Sequence, residues 1–320
     1  MRQSIIQEKK YWVRGETMTM KMKRTWRRYK WLYVMLLPGI LYYLVFKFGP
    51  MFGLLAAFKE YQPMKGFFGS PWVGFKHFIR FFSGNSFGRI LKNTLLISAL
   101  NLVFYFPAPI IIALLLNEVR VRWFKTTVQS VLYVPHFLSW VVIAGVSYAL
   151  LTTDGGVLNN LIVSVTGRKE INFLGSEKWF YPLVVFQNIW KESGWGTIIF
   201  MAALAGVDIQ MYEAAKLDGA SRFQQILYIT LPSIRSTIIT MLILRLGKVM
   251  ETGFDQILLM QNSMNRNVAE VIDTYVYSMG MKNGQLSFAT AVGLFKSLVG
   301  LILVLTSDRI AKHVGDDGIL

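Results

Sequence analysis

The sequence predicts an all-α integral membrane protein with six transmembrane helices. Only 16% of its 320 residues are charged and 53% are hydrophobic, whereas soluble domains carry about 25% charged residues. The apolar residues come in blocks of about 20, the length at which a helix crosses the hydrocarbon core of a bilayer. A basic run, KMKRTWRRYK, comes directly before the first block.

The six apolar blocks are predicted to span the membrane. They cover residues 31–48, 94–116, 128–151, 183–204, 234–259 and 288–306. Pro38, Pro107, Pro109 and Pro135 lie inside these blocks. A proline is tolerated in lipid where neighbouring helices or water satisfy the carbonyl that it frees. The prolines therefore predict kinked helices, which either surround a cavity or simply pack together.

The charge distribution predicts the orientation. Ten of the 34 Lys and Arg residues lie in residues 1–30, and a basic run beside a span marks the cytoplasmic side. We therefore predict a basic cytoplasmic tail (1–30), a transmembrane domain (31–307) and a cytoplasmic C-terminal tail (308–320). Without the first tail, the predicted loops carry eight basic residues inside and eleven outside. The orientation thus depends on the flank of the first span.

The N-terminus has no short apolar core with a small-residue cleavage site, so we expect it to be retained. The net charge of +16 is concentrated beside the first span and no nucleic-acid recognition fold accompanies it, so we expect no nucleic-acid partner.

The sequence has no pattern that predicts an enzyme. It contains no cysteine, which excludes thiolate chemistry and cysteine-ligated metals. The three histidines, His77, His136 and His313, lie on separate segments, and no metalloprotease, nucleophile-elbow or phosphate-loop motif occurs. We predict neither catalysis, nor a metal, nor a cofactor held by this chain.

The first outer loop contains an amphipathic pattern in WVGFKHFIRFF. Phe75, Phe78, Ile79 and Phe82 recur at helical spacing, with basic residues off that face. The pattern predicts a helix that either lies at the membrane interface or packs over the bundle as a lid.

Four charged residues follow one another through the fifth predicted span: Arg245, Lys248, Glu251 and Asp255. On one continuous helix they would lie within an arc of about 120°. Because each charge at mid-membrane costs about 2.5–3.5 kcal/mol, this face is predicted to line a wet cavity.

A second polar cluster lies in the fourth predicted span. Asn188, Lys191 and Trp195 share a helix face, and Glu192 is adjacent to Lys191. Lys47 and Lys296 add positive charge near the first and sixth spans. One interpretation is a path for polar, hydroxylated or anionic solutes, predicted to be lined by Asn188, Lys191, Trp195, Arg245, Lys248, Glu251, Asp255 and Lys296. The alternative is a set of salt bridges that hold helices together.

The segment between the fourth and fifth spans, residues 208–233, is too polar to cross a bilayer. Asp208 is a predicted N-cap for a helix over IQMYEAAKL, and Gly219 is a natural stop. Ser221 and Gln224 form a predicted capping box for a second helix. Pro232 is predicted to end that helix before the fifth span begins.

This segment resembles the signature loop of permeases in binding-protein-dependent ABC importers. That loop reads Glu-Ala-Ala, three residues, Gly, nine residues, Ile, one residue, Leu-Pro, and EAAKLDGASRFQQILYITLP matches every position. The resemblance implies a coupling helix seated in a groove of a cytoplasmic ATPase subunit. The residues it assigns to coupling are Glu213, Ala214, Ala215, Asp218, Gly219, Ile229, Leu231 and Pro232.

The resemblance extends from about residue 30 onward, including YVPHFLSWVV, GFDQILLMQN and EVIDTYVYSMGMKNGQLSFATAVGLFKS. These stretches are similar to the polysaccharide-importing, LplB-like branch of the maltose-type sugar permeases. The resemblance implies import of oligosaccharides across the bacterial cytoplasmic membrane by alternating access. The expected partners are a second homologous permease, two ATPase subunits that carry ATP and Mg²⁺, and an extracytoplasmic binding protein. The basic residues on the path suit an acidic sugar, such as an alginate-derived oligouronide.

The stretch AEVIDTYVYSMG is the candidate contact for the binding protein, with Asp273, Tyr275 and Tyr277 as polar and aromatic anchors. Its alternative is an ordinary re-entrant or packing segment. A rival function is a secondary transporter with an intramembrane ion site, although the six spans have no evident inverted repeat. A structural scaffold would leave the charges of the fifth span unexplained.

Overall fold

A computed structural model describes residues 18–313, with side chains for Trp26 and from Arg28 onward. The outer parts of both predicted tails, 1–17 and 314–320, lie outside the described residues. The chain divides into two compact units, Met1–Leu55 and Ala56–Leu320. The division into tails and a transmembrane domain stays a prediction.

The described part of the first unit is one long helical segment. Helix α1 (Met18–Tyr43) runs through Pro38 and continues as a π-helical turn, Leu44–Phe48, and a short helix, Gly49–Met51. A 3₁₀ segment, Phe52–Phe58, then leads into the second unit. The stretch Arg28–Phe58 is long and apolar enough to cross a membrane.

The second unit is also helical. Its main helices are α2 (Lys76–Phe82), α3 (Phe87–Leu100), α4 (Pro107–Glu118), α5 (Arg122–Tyr133), α6 (Trp140–Leu151), α7 (Val157–Thr166), α8 (Glu177–Ala205), α9 (Ile209–Leu217), α10 (Arg222–Gln225), α11 (Arg235–Gly247), α12 (Phe254–Met260), α13 (Arg266–Ala269), α14 (Ile272–Tyr277) and α15 (Leu286–His313).

Three described stretches are long and apolar enough to cross a membrane without a sharp bend: Arg28–Phe58, Phe87–Glu118 and Leu286–His313. Three helix pairs also have the required length and composition but bend, by 100° between α5 and α6, 71° between α8 and α9, and 61° before α11. The described residues therefore contain three such helices, or up to six if each bent pair is one span.

The third predicted span is broken rather than kinked. Helix α5 ends in a 3₁₀ turn, Val134–Phe137, that contains Pro135. Ser139 then accepts a hydrogen bond from the backbone of Val142 and begins α6 as its N-cap. A proline without an N–H followed by a new N-cap restarts the helix in another direction, which explains the 100° bend.

The prediction of one continuous fifth span was wrong. Helix α11 ends at Gly247, and the next residues form tight turns in which Lys248 N–H donates to the Arg245 carbonyl and Glu251 N–H to the Lys248 carbonyl. Gly253 has φ +87°, a left-handed conformation that L side chains rarely adopt. The four charges of the predicted face therefore do not lie on one helix.

The segment between α8 and α11 follows its sequence signals. Asp208 accepts a hydrogen bond from Gln210 N–H, Gly219 turns the chain at φ +79°, and Ser221 with Gln224 forms a complete capping box. The second helix continues through a π-helical turn, Ile226–Thr230, and through Pro232 to Ser233. The chain thus bends just beyond the proline.

Helix α2 packs within its unit through His77 and Phe81 rather than through the apolar face that the sequence pattern singled out. His77 and Phe81 are buried, and Phe81 contacts Phe288 of α15, whereas Phe75, Ile79 and Phe82 are exposed. A hydrogen bond from Lys76 lowers the pKa of the Glu60 carboxyl beside this helix.

Close contacts between backbones bring the spans of the second unit together. A Cβ on Gly194 of α8 would lie 1.9 Å from the Leu132 carbonyl oxygen of α5, and one on Gly300 of α15 would lie 2.7 Å from the Gly247 carbonyl oxygen. Small residues permit such approach between membrane helices. These contacts position both broken spans against continuous helices.

Candidate functional site

A cavity of about 340 Å³ lies beside the break in the fifth span. Its polar lining comes from α8, α11, the break, α14 and α15: Asn188, Arg245, Glu251, Thr252, Asp273 and Lys296. Irregular backbone at membrane depth is tolerated where it is buried in protein or lines a cavity. Ser98 of α3 stabilises the break, because its hydroxyl donates a hydrogen bond to the Val249 carbonyl, which the break leaves without a helical partner.

Arg245 is the cation of this cavity that lacks a carboxylate partner. Its guanidinium lies 5.3 Å from the centre of the Tyr105 ring, a cation–π contact. The described residues place no carboxylate oxygen within salt-bridge distance of it. Arg245 is half-buried, and a guanidinium whose planar donor set is not engaged by a carboxylate can bind one through two parallel hydrogen bonds.

Lys296 has a different environment. Its ammonium lies 2.5 Å from a carboxylate oxygen of Asp273, and both side chains are mostly buried, with 18% and 17% exposure. Its charge is therefore neutralised within the chain. The sequence did not associate Asp273 with the cavity, and its position on α14 became apparent only from the fold.

The fourth-span cluster is a paired structural network. Lys191 is 6% exposed and donates to the His136 carbonyl at 2.6 Å, while its ammonium lies 3.3 Å from Glu192. The other Glu192 oxygen lies 2.7 Å from His136 Nδ1, and the imidazole stacks on Trp195 at 4.5 Å between ring centres. This network joins the broken third span to α8.

Lys248 and Asp255 are exposed and do not line the cavity. Glu251 also is exposed, but it does line the cavity. Of the eight residues predicted for the path, the structure brings Asn188, Arg245, Glu251 and Lys296 together around one cavity. Their role in transport stays a prediction.

Buried amides extend the site in a way that sequence analysis missed. Asn101 accepts a hydrogen bond from Asn188, and Gln256 donates to Gln187 and to the Val184 carbonyl. The Asn101 amide nitrogen and the Thr252 hydroxyl are buried without a partner in the described residues. The available signal was a polar residue inside an apolar block, as in SALNLVFYF.

The three residues predicted to contact a binding protein lie in different surroundings. Asp273 pairs with Lys296 in the cavity. Tyr275 packs beside Phe81 and Phe288, and burial raises the pKa of its phenol. Tyr277 makes an edge contact with Phe254, 5.3 Å between ring centres. A contact with a binding protein stays a prediction.

The segment from α9 to α10 presents apolar side chains without a partner in the described chain. Leu217 is 90% exposed and Phe223 is 73% exposed, on either side of Gly219. The residues predicted to couple are exposed in five cases (Glu213, Ala214, Asp218, Gly219, Pro232) and half-buried in three (Ala215, Ile229, Leu231). Arg222 pairs with Glu118 at 3.4 Å, which ties this segment to the end of α4.

An all-helical membrane protein with a broken span and an internal charged cavity belongs to the class of membrane transport proteins. A family model described as the binding-protein-dependent transport system inner membrane component matches residues 105–316. The chain belongs to this family, and is therefore a permease of a binding-protein-dependent transport system.

Two bacterial relatives match nearly the whole chain. The polygalacturonan/rhamnogalacturonan transport system permease protein YteP of Bacillus subtilis (strain 168) is 55% identical over 91% of this chain and 90% of its own length. The protein LplB of the same strain is 54% identical over 92% of each chain.

Two solved structures have the same fold. A chain of a bacterial ABC transporter involved in the import of the acidic polysaccharide alginate superposes with a TM-score of 0.86, at 38% identity over 92% of this chain and all of its own. A second structure, of a bacterial alginate ABC transporter in complex with an alginate pentasaccharide-bound periplasmic protein, also has a TM-score of 0.86 at 38% identity. It covers 95% of this chain and all of its own.

Proposed function

We propose that this chain is the permease subunit of an ATP-driven importer that moves acidic oligosaccharides into the cytoplasm. In this proposal each bent pair contributes one span, with α9 and α10 on the cytoplasmic side of the bilayer, so that the chain has six spans with both termini in the cytoplasm. It works with a second homologous permease, two ATPase subunits and an extracytoplasmic binding protein. The two permeases expose the cavity alternately to the outside and the inside.

The observation that carries the acidic substrate is the unpaired Arg245. Of the basic residues predicted for the path, Lys191 and Lys296 are neutralised by Glu192 and Asp273. Arg245 lines the cavity together with Lys296, and it has no carboxylate partner in the described residues. Because an uncompensated charge at membrane depth is costly, a carboxylate ligand would stabilise it. Two similar proteins support this substrate class. One is the polygalacturonan/rhamnogalacturonan transport system permease, and the other is a chain of the transporter involved in alginate import.

The exposed surface of the segment from α9 to α10 is evidence for the proposed coupling to ATPase subunits. It displays an apolar surface around Gly219, with Leu217 and Phe223 largely exposed. Large exposed apolar side chains grouped on one turn are typical of a protein interface. The adjacent bends of 71° and 61° connect this turn directly to α8 and α11, which line the cavity. A displacement of this turn can therefore be transmitted to the substrate path through α8 and α11.

Arg245→Gln tests the substrate assignment in proteoliposomes that contain the complete importer and its binding protein. A charge-assisted hydrogen bond contributes about 1.5–3 kcal/mol, so uptake of an oligouronate should fall about ten- to hundredfold. Uptake of a neutral oligosaccharide, where the importer carries one, should not fall in parallel. Arg245→Lys, which keeps the charge but loses the planar donor set, should give an intermediate rate.

The matched control is Arg120→Gln, because Arg120 is exposed and has no ion pair among the described residues. Recovery of the assembled complex by size-exclusion chromatography separates a transport defect from a folding defect. Unchanged oligouronate uptake by correctly assembled Arg245→Gln would refute the proposed role of this residue.

A further inference from the structure

A second polar pocket of about 340 Å³ lies between α12–α13 and the π-helical turn that follows α14. We call it the loop pocket, and its argued lining is Gln261, Ser263, Arg266, Glu270, Tyr277 and Lys282. Its volume is at the lower end of the range of small-molecule sites, about 300–1,000 Å³. On the proposed topology it opens to the outside.

The framework of the loop pocket is held in place by buried polar contacts. Asn265 is fully buried and donates to the Leu174 and Met260 carbonyls at 3.0 Å. Glu270, with 4% side-chain exposure, receives Arg89 at 2.5 Å and Arg266 at 2.8 Å on its two oxygens. Groups fixed in this way lose little conformational entropy when a ligand binds.

Three further polar side chains of the loop pocket have no hydrogen-bonding partner in the part of the chain that the structure describes. The side chains of Gln261 and Ser263 make no hydrogen bond within the described chain, and Lys282 forms no ion pair there, although Glu270 lines the same pocket. The Lys282 ammonium lies 5.6 Å from the centre of the Tyr277 ring. Because Glu270 is already bound by two guanidiniums, the pocket keeps net positive charge. An amide, a hydroxyl and a free ammonium are suitable groups for binding sugar hydroxyls and a carboxylate.

The loop pocket adjoins the charged cavity through one aromatic pair. Phe254 lines the cavity, Tyr277 lines the loop pocket, and the two rings are in edge contact. On α14, Asp273 lines the cavity and the next residue, Thr274, lines the loop pocket. A solute in the loop pocket is therefore separated from the cavity by the Phe254–Tyr277 contact.

We propose that the loop pocket is an outer subsite for one acidic sugar residue of the substrate, occupied before the sugar passes Phe254 and Tyr277 into the cavity. In this assignment Lys282 binds the carboxylate, and Gln261 and Ser263 bind hydroxyls. It rests on the proposed function for its ligand class, but it adds a binding site outside the membrane cavity.

The absence of cysteine from this chain gives a direct test. Ser263→Cys places a single thiol of this subunit in the loop pocket, and Ser83→Cys places one on an exposed outer loop as a control. Both are treated with a membrane-impermeant thiol reagent in proteoliposomes of the complete importer. An oligouronate should slow labelling of Ser263→Cys about tenfold, the factor that corresponds to 1.4 kcal/mol. A neutral oligosaccharide of equal length should not.

A second variant, Lys282→Gln, checks the role of the charge. It should remove the protection of Ser263→Cys and lower oligouronate uptake about tenfold at a subsaturating concentration of loaded binding protein. Lys169→Gln, a change of the same kind at an exposed position on another predicted outer loop, should do neither.

The outcomes separate the two proposals. Uptake of the oligouronate without protection of Ser263→Cys would overturn the outer subsite and leave the proposed function standing. Protection without uptake would keep the subsite and overturn the proposed function. Equal protection by the sugar-free binding protein would assign the loop pocket to protein docking, and would therefore also overturn the saccharide subsite.

Discussion

At the scale of single residues, glycines determine how closely the broken spans approach their neighbours. Gly194 lies against the backbone of α5 at the end that leads into the bend, where a Cβ would come within 1.9 Å of the Leu132 carbonyl oxygen. A backbone atom cannot move aside as a flexible side chain can. The same position joins α8 to the segment that carries His136, so it supports the Lys191–Glu192–His136 network.

Gly194→Ala should therefore destabilise the permease. In a helix interior alanine is favoured over glycine by about 1 kcal/mol, but overpacking costs about 1–3 kcal/mol, and here the clash is with a carbonyl oxygen. We expect a lower thermal unfolding midpoint for the purified complex. Gly145→Ala, in α6 with open space around its Cβ position, should leave the midpoint unchanged or raise it. Equal midpoints for the two variants would contradict the packing argument.

The charged residues show what the sequence could and could not predict at this scale. Their presence in the spans was evident, and the interpretations of a solute path and of salt bridges were both open. The structure contains both arrangements: Lys191 and Lys296 are paired, whereas Arg245 is not. Glu192 is adjacent to Lys191 in the sequence, but the Lys296–Asp273 pair joins two helices, and which helices are neighbours is set by long-range packing that a single sequence does not specify.

At the scale of elements, the segment from α9 to α10 was the most predictable part of the chain. Its caps and turn are local, since Asp208, Gly219, Ser221 and Gln224 interact with residues at most four positions away. The break in the fifth span was not predicted, although Gly253 lies in it. A glycine inside an apolar block is compatible with a continuous helix, so its presence does not by itself predict the left-handed conformation that the structure gives it.

The turn at Gly219 makes a prediction for coupling. Its φ of +79° costs a residue with a Cβ about 1–2 kcal/mol, so Gly219→Ala should weaken recovery of the ATPase subunits with the permease and lower ATP-driven uptake about tenfold. The matched control is Gly206→Ala, because Gly206 also follows a helix but has φ −88°. Membrane insertion should be normal for both variants. Undiminished uptake by Gly219→Ala would contradict the proposed coupling role.

At the scale of the whole molecule, the apolar composition and the block lengths predicted an all-helical membrane protein, and the family confirms a membrane permease. The number of spans follows less directly from the structure, because three of the six predicted spans belong to bent helix pairs. Composition does not distinguish a bent pair that crosses the bilayer from one that re-enters it. The six-span topology therefore stays part of the proposed function.

The central claim is that the complete importer uses ATP to move acidic oligosaccharides through a path that includes Arg245. The most direct measurement is uptake by proteoliposomes that contain this permease, its homologous partner, the ATPase subunits and the binding protein. An oligouronate and a neutral oligosaccharide of equal length are compared, with and without ATP. We predict ATP-dependent uptake of the oligouronate in clear preference to the neutral sugar. Uptake without ATP, or uptake of the neutral sugar at an equal or higher rate, would contradict the claim.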